Sequence, residues 1–105
     1  MRLQLTEIAR ADLKSIRRYS QRTWGPDRTA QYMASLRDTI KGLLAGTVAS
    51  RNRDDLRPGL RMATSGRHCL FFESDQSGIL VIRVLHDRMD YERHLEAETG
   101  QDRGR

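Results

Sequence analysis

The chain has 105 residues, which is one domain with a modest core and too short for two. Lys and Arg number 19 against 14 Asp and Glu, so the net charge is +5 and the sequence pI is near 10.1. That balance suits acidic partners in general, whether nucleic acid, an anionic membrane or an acidic protein, and selects none of them. No apolar run approaches the ~18 residues of a membrane-spanning helix. The start, MRLQLTEIARADL, meets charge before any secretory core can form. A single cysteine, Cys69, excludes an internal disulfide and a cysteine-based zinc cluster. The expectation is a cytoplasmic protein with no cofactor. A mean hydropathy of -0.71 would also suit a disordered chain. The apolar residues are clustered and periodic, however, which argues for a folded core.

Leu3 to Leu5 alternate like a short strand. From Thr6 the period becomes helical: Ala9, Leu13, Ile16, Ser20 and Trp24 form one stripe, with Arg10, Lys14, Arg17, Arg18 and Gln21 opposite. Gly25 breaks this helix, and Pro26 suits the first turn of the next. Ala30, Met33, Leu36, Ile40 and Leu43 or Leu44 make the second stripe. So short a link predicts an antiparallel helical hairpin. Gly46 to Gly59 reads as a long connection ending in the turn pair Pro58-Gly59.

Strands follow. Leu60 to Ala63 is short, Ser65-Gly66 signals a tight turn, and His68, Leu70 and Phe72 alternate against Cys69 and Phe71. After a turn at Asp75 to Gly78, Ile79 to Leu85 is nearly continuous aliphatic sequence, as in a central strand covered on both faces. Alternation assigns Cys69, Phe71, Val81 and Leu85 to one face, and Leu70, Phe72, Leu80, Ile82 and Val84 to the other. The predicted class is α+β: an N-terminal strand, an antiparallel helical hairpin, then a three-stranded antiparallel sheet. Residues 1–95 make the domain and 96–105 a frayed polar tail. Two helices cover one face, which leaves the other partly open or meeting a partner. Trp24, Tyr19 and Phe72 are expected in the core, and Cys69 as a buried small residue.

Four segments carry a resemblance: Trp24-Gly25, LRPGLR at Leu56 to Arg61, SGRHCLFF at Ser65 to Phe72, and IRVLHDRMDYERHL at Ile82 to Leu95. Together they resemble the ParE branch of the ParE/RelE toxin superfamily, over nearly the whole chain up to Leu95. The resemblance implies a RelE/ParE-like fold and the toxin of a type II toxin–antitoxin pair. It implies an acidic ParD-like antitoxin, a ribbon-helix-helix protein through which alone the toxin reaches operator DNA. Toxins of the ParE type generally inhibit DNA gyrase and so block replication. RelE-type relatives instead cleave mRNA on the ribosome.

Metal-free RNA cleavage needs a general base, a general acid and cations for the phosphorane. The available parts are His68, Arg83, His86, Arg88 and Tyr91. Arginine is a poor base, and the connection after Gly46 offers Arg51 and Arg53 but no lysine. The set is unconvincing, and the reading leans toward a protein inhibitor that works by binding, with the endoribonuclease as the alternative. A third possibility is an antitoxin-bound module whose toxicity has decayed. His86, Asp90 and His94 have helical metal-ligand spacing, but His86 more naturally ends a strand. Arg83 is either a stem-buried arginine whose head reaches solvent or a contact to a partner. Arg51, Arg53, Arg57, Arg61 and Arg67 form a basic stretch without interleaved aromatics, better suited to an acidic protein than to nucleic acid. With Arg83, His86, Arg88, Met89 and Arg93 they make up the candidate surface for antitoxin or target.

Overall fold

The computed structural model describes residues 2–89, 91 and 93–95. Its elements run β1 (Arg2–Leu5), α1 (Glu7–Trp24), α2 (Pro26–Ala45), β2 (Arg51–Asn52), β3 (Arg61–Ser65), β4 (His68–Asp75) and β5 (Gly78–His86). Thr6 caps α1: its hydroxyl accepts the Ala9 N–H at 3.0 Å and donates to the Ile82 carbonyl at 2.8 Å. Gly25 ends α1 and begins α2. Its N–H reaches the Gln21 carbonyl at 3.1 Å, while its carbonyl accepts the Thr29 hydroxyl at 2.7 Å. The buried stripe of α2 therefore runs through Thr29, Met33, Leu36, Ile40 and Leu43, and the expected Ala30 is exposed.

The five-stranded sheet has the order β1-β5-β4-β3-β2. The three predicted strands form its antiparallel centre. β1 adds to β5 in parallel, and the long connection contributes the two-residue β2 beside β3. The parallel pairing requires Gly78 (φ +146), since a Cβ there would strike the Arg2 backbone.

The alternation assignment of β5 is corrected by a β-bulge. Phe71 lies opposite Arg83 and Phe72 opposite Val81, so Ile82 has no counterpart and the parity shifts. Leu70, Phe72, Ile79, Val81 and Val84 face the helices and pack with Ala9, Ile16, Met33, Leu36, Ile40 and Leu43. Cys69, Phe71, Ile82 and Leu85 face away, with Leu80 packed beside them.

That second face is not left open. Leu56 and Leu60 from the connection, with Tyr91 and Leu95 beyond β5, cover it. The expectation of a bare face missed this because the covering segments are short and mixed in polarity, so no amphipathic period announces them.

Arg83 is a further correction. Its guanidinium makes two 2.9 Å contacts to the Asp12 carboxylate on α1, and a third, at 3.4 Å, to the His94 carbonyl. Both side chains are only 14% exposed. The same carboxylate accepts the Val84 N–H at 2.9 Å. Removing Asp12 takes the charge partner from a buried arginine and the acceptor from a strand N–H together. Asp12→Ala is expected to cost about 3 kcal/mol in urea unfolding. Asp12→Leu with Arg83→Met is expected to recover most of that loss. Wild-type stability in Asp12→Ala would assign the α1–β5 joint to apolar packing alone.

Candidate functional site

A groove of about 630 Å³ opens where the C-terminal half of α1, the start of α2, the β3–β4 turn and the end of β5 converge. Ile16, Tyr19, Trp24, Tyr32, His68 and Met89 supply most of its wall, with Arg67, His86 and Arg88 at one end. Four rings run through it edge to face: Trp24 to Tyr32 at 5.7 Å, Tyr32 to His68 at 5.6 Å, and His68 to His86 at 5.3 Å between centroids.

Tyr32 is fixed from two sides. Its oxygen accepts the Arg67 N–H at 3.0 Å and lies 2.6 Å from His68 Nδ1. With the His68 proton on Nε2 the phenol donates to Nδ1; with it on Nδ1 the ring donates to the phenol oxygen, whose hydrogen then has the Ser65 carbonyl at 3.4 Å. Burial pushes the Tyr32 hydroxyl above its usual 10, so it remains a donor. The approach depends on Gly66 (φ +59) in the two-residue turn between Ser65 and His68. A Cβ there would come within 2.7 Å of the Tyr32 ring.

Burial, aided by the neighbouring His86, drives His68 from the usual 6.5 down to about 4. His86 ends β5. Its Nδ1 lies 3.1 Å from both the Arg88 N–H and the Asp87 carboxylate. Without a proton Nδ1 accepts from Arg88, and with one it donates to Asp87.

The remaining candidates are dispersed. Tyr91 sits on the far side of the sheet. Its hydroxyl is 3.1 Å from Cys69 Sγ and its ring 5.0 Å from Phe71, and burial with the Cys69 contact pushes it up to about 12. Arg83 is committed to Asp12. Of the five nuclease candidates, the groove thus gathers His68, His86 and Arg88.

The basic stretch is likewise broken up. Arg53 pairs with Asp55 at 2.9 Å, Arg57 with Glu73 at 3.4 Å, and Arg61 donates to the Ser50 hydroxyl at 2.9 Å. Arg67 stands at the other end of β3, pairs with Asp87 at 3.2 Å and lines the groove. Arg51 and Arg93 are exposed. Asp90, and with it the His86-Asp90-His94 metal reading, lies outside the described residues, as does the tail at 96–105. Among the described residues no cluster of His, Cys, Asp and Glu is arranged to hold a metal.

Trp24 and Tyr19, expected in the core, are 40% and 59% exposed. They occupy the rim of the helical stripe, where period alone cannot separate buried from half-buried positions. Sequence reasoning did not single out Tyr32 at all. It falls beside the Met33 stripe, and only the Ser65-Gly66 turn opposite makes room for it.

A family model described as the ParE toxin of the type II toxin–antitoxin system parDE matches residues 3–91. The chain belongs to the ParE toxin family. Toxin ParE1 of Mycobacterium tuberculosis is 37% identical to it over 95 residues, which is 90% of this chain and 97% of that protein. Toxin ParE of Escherichia coli is 39% identical over 87 residues, covering 82% and 84%. Toxin ParE1 of Caulobacter vibrioides is 34% identical over 92 residues, covering 88% and 95%. A solved chain of the chromosomal ParDE TA system from P. aeruginosa superposes with a TM-score of 0.70 at 24% identity, over 82% of this chain and 95% of that one. That likeness carries the fold. The described part of this ParE-family chain has no helix long and apolar enough to cross a membrane.

The depressed His68 has a measurable consequence. The unfolded chain takes up that proton near 6.5, the folded chain only near 4. The stability that depends on neutral His68 is thus complete above pH 6.5 and lost progressively as pH falls toward 4. NMR titration is expected to place His68 near 4, and His68→Gln to remove this part of the pH slope in urea unfolding. A midpoint at 6.5 would show the ring to be solvated.

Proposed function

We propose that this ParE-family toxin acts by binding, inhibiting DNA gyrase and so replication, and that an acidic ParD-like antitoxin neutralises it. The observation that carries this reading is the match to ParE over residues 3–91, with curated toxins at 34–39% identity over most of the chain. Gyrase as the target follows from the resemblance to that branch.

The side-chain geometry supports binding over RNA cleavage. Tyr91 is separated from the histidines by the sheet, and Arg83 is held by Asp12. His68, lowered to about 4, is a weak base at neutral pH. The net charge of +5 favours encounter with an acidic antitoxin, which would also supply the contact to operator DNA.

Purified toxin is expected to abolish supercoiling by gyrase, and added antitoxin to restore it. Normal supercoiling at large molar excess would overturn the gyrase assignment. The same preparation is expected to leave transcripts intact in a translation extract. Cleavage lost on His68→Gln and His86→Gln would favour the endoribonuclease reading instead.

A further inference from the structure

Helix α1 carries the cations Arg10, Lys14, Arg17, Arg18 and Arg22, and all are exposed. Arg10, Lys14, Arg18 and Arg22 follow one another at intervals of four, on the face opposite Ala9, Leu13, Ile16 and Ser20. Arg17 lies beside the row. The run covers about 18 Å of helix axis. Glu7, in the first turn, is the one carboxylate on the exposed surface of α1, because Asp12 is turned to Arg83.

This charge is left unbalanced. Arg53, Arg57, Arg67 and Arg83 have Asp55, Glu73, Asp87 and Asp12 as partners, whereas among the described residues no α1 cation forms an ion pair. The exposed surface of α2 differs, interleaving Arg28, Arg37 and Lys41 with Asp27 and Asp38. Like charges four apart on a helix repel, and α1 places three such pairs in succession. The fold gains nothing from that repulsion, and an anionic polymer laid along the face would relieve it.

We infer that the outer face of α1 is a contact for the phosphate backbone of duplex DNA, one that reads no sequence. Recognition of an operator stays with the proposed antitoxin, and the inference stands whether or not gyrase is the target.

Length and composition select this occupant. Each strand of a duplex carries a phosphate about every 3.4 Å of axis, so an ~18 Å row laid along it passes about five phosphates. Within the row the other exposed side chains are Ala11 and Gln21, and the exposed rings of α1, Tyr19 and Trp24, line the groove instead. A single strand would need rings for its bases to stack on. A protein partner would need an apolar or aromatic centre. A membrane-surface helix would need apolar side chains to insert. Long cations on small polar spacers supply charge alone, which is what backbone binding uses.

The test titrates a short labelled duplex of arbitrary sequence with the full chain and follows fluorescence anisotropy. Binding is expected near micromolar concentration at about 50 mM salt and is expected to weaken about 10²-fold by about 200 mM. Lys14→Gln with Arg18→Gln is expected to weaken it about tenfold or more at low salt and to reduce the slope of log affinity against log salt by about two. Arg2→Gln with Arg51→Gln, on the two edge strands, removes the same charge and is expected to change affinity less than about threefold, with the slope retained. All four positions are exposed, and unchanged circular dichroism is expected of both variants. Equal losses in the two variants would assign the effect to net charge and overturn the row. Tighter binding to the single strand of the same sequence would overturn the duplex. Anionic vesicles bound through Lys14 and Arg18, with the duplex left unbound, would make the face a membrane contact and overturn the inference, as would no binding of the duplex by the wild-type chain.

Discussion

The exposed edge of β5 is the problem around which this fold is organised. β1 pairs with β5 only as far as Val81. Beyond that point a central strand would present unpaired backbone groups at the joint with α1. Side chains from the start of α1 take over. The Thr6 N–H and hydroxyl satisfy the carbonyls of Val81 and Ile82, and the Asp12 carboxylate receives the Val84 N–H. Asp12 then carries a negative charge in a largely buried place, and Arg83 neutralises it in a two-pronged pair. Helix, strand edge and charge are thereby fixed in one arrangement.

The groove inherits its geometry from that joint. α1 is held against β5 at Asp12, so Ile16, Tyr19 and Ser20, one and two turns further on, come to lie over the end of β5. His86 closes the strand, and the turn that follows brings Arg88 and Met89 back over the same space, with the Met89 N–H on the His86 carbonyl at 3.0 Å. From the other side the β3–β4 turn presents Arg67 and His68 to Tyr32. The surface is thus assembled by elements distant in sequence and closed by two turns.

Much of the architecture was legible because it follows period. The helix break at Gly25-Pro26, the hairpin and the antiparallel centre of the sheet rest on spacing and on turn residues, which act locally. The parity of β5 did not follow, because a bulge is a property of two strands and leaves no mark on one. Arg83 was visible as a charge in an apolar run, but its partner lies 71 residues away in a helix full of other charged residues. The candidate site was half legible. His68, His86, Arg67, Arg88 and Met89 were named, while Tyr32 was missed and Trp24 and Tyr19 were placed in the core. A residue on the margin of a helical stripe is buried or exposed according to what the sheet sets opposite it, and that is tertiary information.

The covering of the outer sheet face by Leu56, Leu60, Tyr91 and Leu95 has a thermodynamic corollary. Among the described residues both faces of the sheet are packed by the chain itself. The burial that holds the sheet is thus intramolecular, and a partner that bound only the folded chain would add to its stability by mass action.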